Sequence, residues 1–124
     1  MKKLIITTIS ELLGFDGNEI FLKSRKQKYV FARQMSFYYL RNELFWTQIK
    51  IGELFNVDHA TVIFGIKSFK TRLEIYNEDK IIYLKFKAVL KHGKIDEKEL
   101  LSAFIIKNKR YLSENLKNYL TAAL

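Results

Sequence analysis

Four consecutive residues, Asp58, His59, Ala60 and Thr61, have the side chains best suited to chemistry with another molecule. They match the types that read base edges. A carboxylate accepts from a cytosine amino group, an imidazole reaches base-edge atoms, and an alanine or threonine methyl packs on a thymine methyl. Upstream, the stretch KSRKQK holds Lys23, Arg25, Lys26 and Lys28, cations suited to phosphate oxygens. Catalysis finds no comparable foothold. The Ser and His residues lack nucleophile–base spacing and the carboxylates scatter over polar faces, so no enzyme is expected. The chain has no Cys and two His, which excludes a thiolate zinc site and a disulfide framework. No metal or other cofactor is expected.

To place Asp58–Thr61 at a surface, a helix must begin there. Asp is a favoured helix N-cap, and Val62, Ile66, Phe69 and Leu73 follow it on one stripe at helical spacing. Before it, Ile49 to Phe55 reads as a short helix and Asn56–Val57 as a tight turn. The unit from Ile49 to about Asn77 is therefore read as a helix-turn-helix, whose second helix puts its first turn into a major groove. Backbone N–H groups in that turn also suit phosphate oxygens. Taken alone, Asp58 is better explained as a cap, His59 as a surface histidine and Thr61 as a residue bonded back to the cap.

The rest of the chain is expected to be helical, since it has no Pro and five Gly. A first helix spans Ile5 to Leu13 and ends at Gly14, Asp16 and Gly17, with Asn18 capping a short turn to Leu22. A long helix runs from about Lys28 to Leu44, with Phe31, Met35 and Tyr38 or Tyr39 on one stripe, widened by Leu40 and Leu44. Phe45 to Gln48 is read as a connection. Gly52 and Gly65 inside helices imply close helix crossings, and Trp46 and Tyr38–Tyr39 read as core or core rim. Further on, Lys80 to Lys91 is helical and Gly93 stops it. Asp96 can cap a helix through Leu100, Leu101, Phe104 and Ile105, with Glu99 as its capping partner, and Ser113 to Leu120 reads as a last helix.

The chain's 124 residues and 14.8 kDa fit one domain, and 48% hydrophobic residues, with ten Phe and seven Tyr, are enough for a core. Its formal charge is +9, distributed unevenly. Residues 21–72 hold ten basic and three acidic residues, or +7, against −1 for residues 1–20 and +3 for residues 73–124. The excess therefore falls on the segment with the basic stretch and the helix-turn-helix, which favours a polyanionic partner. No apolar run approaches the ~18 residues of a membrane span. The opening Lys2–Lys3 and short apolar run meet Glu11 too soon for a signal peptide. A cytoplasmic location is expected.

Lys23 to Leu44, KSRKQKYVFARQMSFYYLRNEL, followed by Ile51 to Val62, IGELFNVDHATV, resembles the C-terminal DNA-binding domain of the DnaA replication initiators. In that family a basic loop precedes a long helix with an Arg-Gln pair, here Arg33–Gln34. An Ile-Gly helix then leads to an Asp-His-Thr-Thr-Val turn, here Asp58 to Val62. The resemblance covers about residues 4 to 76. It implies an all-α, Trp-repressor-like helix-turn-helix over residues 1–76; residues 77–124 have no counterpart in it and read as a helical extension packed on the first part or mediating oligomerisation. It further implies sequence-preferring binding to double-stranded DNA in replication control or transcription regulation. Asp58, His59, Ala60 and Thr61 would contact bases; Lys23, Arg25, Lys26, Lys28, Arg33 and Lys67 would contact the backbone. The initiator's phosphate-loop ATPase signature, GxxxxGK[ST], does not occur.

The alternative is a helical protein-interaction or dimerisation module with a degenerate helix-turn-helix. It would bind itself, or a replication or transcription protein, through residues 77–124. It is favoured by Ala60 in place of the family's first Thr, and by Asn56–Val57 where the family has two Gly and an Arg.

Overall fold

The computed structural model describes residues 1–93. Over those residues the chain is all-α, in the order α1 (Lys2–Leu13), a 3-10 turn (Gly17–Phe21), α2 (Gln27–Asn42), α3 (Gln48–Phe55), α4 (His59–Ile75) and α5 (Asn77–His92). The helices expected from Asp96 and from Ser113 lie outside the described residues.

Local chemistry sets the boundaries. Gly14 ends α1 in the left-handed region at φ 75°, its N–H donating to the Ser10 carbonyl at 3.2 Å. The following turn is capped by Asp16, not by Asn18. Asp16 Oδ1 accepts from the Asn18 backbone at 3.0 Å and from its side chain at 2.9 Å. Those two bonds, the backbone one first, hold the Asp16 carboxyl below its ordinary value. α2 stops at Asn42, short of the expected Leu44, because Phe45 turns left-handed at φ 57°. Leu44 is consequently exposed rather than packed in the α2 stripe. Gln48 joins α3 because Thr47 caps it, the hydroxyl accepting from the Lys50 N–H at 3.1 Å.

The helices share one core. α2 packs chiefly on α4, and α1 on α5. Met35, Phe37 and Leu40 of α2 meet Val62 and Phe69 of α4, Ile51 and Phe55 of α3, Ile5 and Ile9 of α1, and Tyr83 and Phe86 of α5. Each such side chain contributes about 1.5–3 kcal/mol by leaving water. The expected close crossing at Gly65 is present, since a Cβ there would lie 2.7 Å from Phe37 Cδ2. Edge-on rings knit the helices together, Phe37 on Phe55 at 4.9 Å and Tyr39 on Phe86 at 5.6 Å. The first part of the extension is thus built into the same core as the residues before it. Glu43 ties α5 to the end of α2 through Lys87 at 2.9 Å and Lys91 at 2.6 Å. Burial pushes the Glu43 carboxyl up, but the hydrogen bonds from Lys91 and Lys87 outweigh it and hold it below its ordinary value.

Candidate nucleic-acid interface

The turn between α3 and α4 is held by bonds close in sequence. Asn56 closes α3 in the left-handed region at φ 54° and ψ 48°, a conformation its short polar side chain tolerates. The Val57 N–H donates to the Gly52 carbonyl at 2.9 Å. Gly52 is needed at that position, because a Cβ would stand 2.7 Å from the Val57 carbonyl oxygen. Asp58 then caps α4, its Oδ1 accepting from the Thr61 N–H at 2.8 Å. Side-chain and backbone hydrogen bonds from Thr61 hold the Asp58 carboxyl below its ordinary value.

These bonds present Asp58, His59, Ala60 and Thr61 together, all exposed, at the start of α4. His59 Nε2 lies 3.4 Å from Gln48 Oε1, which brings the first residue of α3 to the same edge. Val62, Gly65 and Phe69 turn the opposite side of α4 into the core. The outward side continues with Phe64, Lys67 and Thr71, each exposed.

The basic loop is held differently. The Arg33 guanidinium reaches from α2 to three backbone carbonyls, through Nε to Ile20 at 2.7 Å and through Nη2 to Leu22 at 2.7 Å and Ser24 at 3.2 Å. Partial burial lowers its pKa from the ordinary arginine value. Arg33 thus anchors the loop through Nε and Nη2, while Nη1 makes no hydrogen bond among the described residues. Phe21, just before the loop, stacks on Phe55 at 4.5 Å and 8° between ring planes. The start of the loop therefore lies beside the end of α3, next to the turn.

Lys23, Arg25 and Lys26 extend from that loop into solvent, and with Lys67 they form no ion pair among the described residues. Lys28 is exposed in the first turn of α2, its Nζ 5.0 Å from the Tyr29 ring centre. Unpaired cations are available to an anion without breaking a salt bridge first. Sequence reasoning named Arg33 but not its anchoring role, and it missed Phe64. Arg33 lies between Ala32 and Met35 on a buried stripe, a setting that signals an internal role for a cation. Phe64 falls on the row Ala60, Phe64, Lys67, Thr71, opposite the apolar stripe of the same helix, where its size is out of place.

A short helix, a tight turn and a longer helix with an open first turn define a helix-turn-helix domain. Residues 3–68 match the bacterial dnaA protein helix-turn-helix family, and the chain belongs to it. It is similar to chromosomal replication initiator protein DnaA 1 of Chlamydia pneumoniae, 31% identical over 75 residues, which cover 60% of this chain and 16% of that protein. It is also similar to DnaA 2 of Protochlamydia amoebophila, 33% identical over 70 residues, 56% of this chain and 16% of the relative. With DnaA of Bacteroides thetaiotaomicron it shares 35% identity over 72 residues, 57% of this chain and 15% of the relative. The chain thus spans a small part of the length of these relatives. No solved structure matches it. The family match ends inside α4, so α5 adds to the core from beyond the matched residues.

Proposed function

We propose that this chain binds double-stranded DNA with sequence preference, as a binding module rather than an enzyme, in replication control or transcription regulation. The observation that supports this most strongly is one surface: the open first turn of α4, with the basic loop anchored beside it and its cations in no ion pair among the described residues. In this reading Asp58, His59, Ala60 and Thr61 face base edges in the major groove, while Lys23, Arg25, Lys26, Lys28 and Lys67 hold phosphates. Arg33 positions the loop through Nε and Nη2 and offers Nη1 to the phosphate backbone. No helix among the described residues is long and apolar enough to cross a membrane, and we place the protein in the cytoplasm with its DNA.

Selection from a random duplex library tests this reading directly, because it reports binding, preference and site symmetry together. The expected result is one enriched asymmetric site, matching one helix-turn-helix. With about six phosphates neutralised, log affinity should fall with log salt at a slope near −5. No enrichment, or binding indifferent to salt, would overturn the proposal.

A further inference from the structure

Among the described residues Phe64 is not part of the core, although α4 displays it prominently. It is 67% exposed. Ala60, Phe64, Lys67 and Thr71 recur at i, i+4, i+7 and i+11, which puts them in one row along the helix. That row faces away from the core-directed Val62, Gly65 and Phe69. Phe64 stands in its middle, one turn beyond Ala60 and one turn before Lys67. From His59 to Leu73, α4 has no acidic residue, whereas Lys67 and Lys70 lie along it; Arg72 is turned to α5, where it pairs with Asp79 at 3.0 Å. A surface that is apolar at one point and cationic around it fits a polyanion with an apolar feature on its floor.

We propose that Phe64 is a specificity-determining residue that packs on the 5-methyl group of thymine in the major groove. This rests on the DNA-binding reading above and assigns that site a chemical preference. The thymine methyl is the apolar group among the base edges displayed there, and a phenyl ring is a suitable partner for it. Four residues of helix advance about 6 Å, just under two base steps of about 3.4 Å along a strand. Phe64 therefore meets bases beyond those faced by Ala60 and Thr61, and extends the site read by α4 toward Lys67.

The test uses the full chain and the duplex recovered by selection, with each thymine replaced singly by deoxyuridine. That change deletes one methyl and leaves the hydrogen-bonding edge intact. Binding should weaken about fourfold at one or two thymines, the equivalent of ~0.8 kcal/mol for one buried carbon group. Phe64→Ala should bind the thymine duplex correspondingly less well and lose sensitivity to deoxyuridine at those positions. Phe64→Leu should restore part of that sensitivity. Melting temperatures of both variants should match the parent, because the ring is not part of the core. The proposal is overturned if deoxyuridine weakens binding at no position, or if the loss persists unchanged in Phe64→Ala. Either result leaves DNA binding itself standing. Failure of the parent chain to bind any duplex overturns both readings.

Discussion

The basic loop and the recognition turn lie side by side on the molecule, but they are held in place by opposite means. The turn is fixed locally and redundantly. Asn56 adopts a left-handed conformation, the Val57 N–H bonds to Gly52, and Asp58 caps the helix that follows. The loop relies more on distant side chains, since Arg33 supplies the bonds to the Ile20, Leu22 and Ser24 carbonyls and Phe21 stacks on Phe55 at its start. Local bonds tolerate the loss of one member; an anchor that spans three carbonyls takes all three bonds with it. The precision of the two regions differs accordingly. A surface that holds phosphates can shift by a fraction of an ångström and still attract them, whereas base-edge hydrogen bonds demand fixed geometry.

Substitution at each region separates the two arrangements. The largest effect is expected at the loop. Arg33→Ala removes charge-assisted bonds to three partly accessible carbonyls and should cost about 2–3 kcal/mol of stability, water recovering part of the loss. It should also weaken binding to every duplex sequence, as the loop loses its fixed position. Arg33→Lys should not rescue it, because a single ammonium lacks the planar fork that spans three acceptors. Chemical denaturation and binding to random duplex check both statements. If Arg33→Ala leaves stability unchanged, the loop is held by something else.

The next effect belongs to the turn. Gly52→Ala places a Cβ 2.7 Å from a backbone oxygen that cannot move without opening the turn. Overpacking of this kind costs about 1–3 kcal/mol. The melting temperature should fall, with preference for the selected site reduced more than affinity for random duplex. Equal losses on both would show that the turn contributes no discrimination.

A smaller effect is expected from acid. Asp58 and Asp16 have carboxyls held below their ordinary values, so their contribution to stability is complete above the usual carboxylate range. It is lost as pH falls through the folded-state values. Asp58→Ala should lower the melting temperature at neutral pH and flatten its decline on the acid side. An unchanged acid profile would remove Asp58 from the account.

Much of this arrangement could be read from the sequence. The Asp58 cap, the stripe of Val62, Ile66, Phe69 and Leu73, and the close helix crossing at Gly65 follow from periodicity and steric rules, and the structure shows them; Gly52 instead makes room for the Val57 carbonyl of its own turn. What escaped depends on three-dimensional neighbours. An arginine looks the same in sequence whether it faces phosphate or a loop's carbonyls, and Arg33 became an anchor because residues 20–24 fold back over it. The end of α2 also depended on context, because Phe45 adopts a left-handed conformation that its residue type does not favour. Asp16 displaced Asn18 as a cap for a local reason, since the chain turns two residues earlier than the helix-ending glycines imply.

In the proposed division of labour the loop supplies affinity and the turn supplies discrimination. The most direct test is to measure Lys26→Ala and His59→Ala on the selected duplex and on a scrambled duplex of equal length, at one salt concentration. Lys26→Ala should weaken both duplexes by the same factor. His59→Ala should cost ~1–3 kcal/mol on the selected duplex and little on the scrambled one. Equal losses for His59→Ala on the two duplexes would contradict the division.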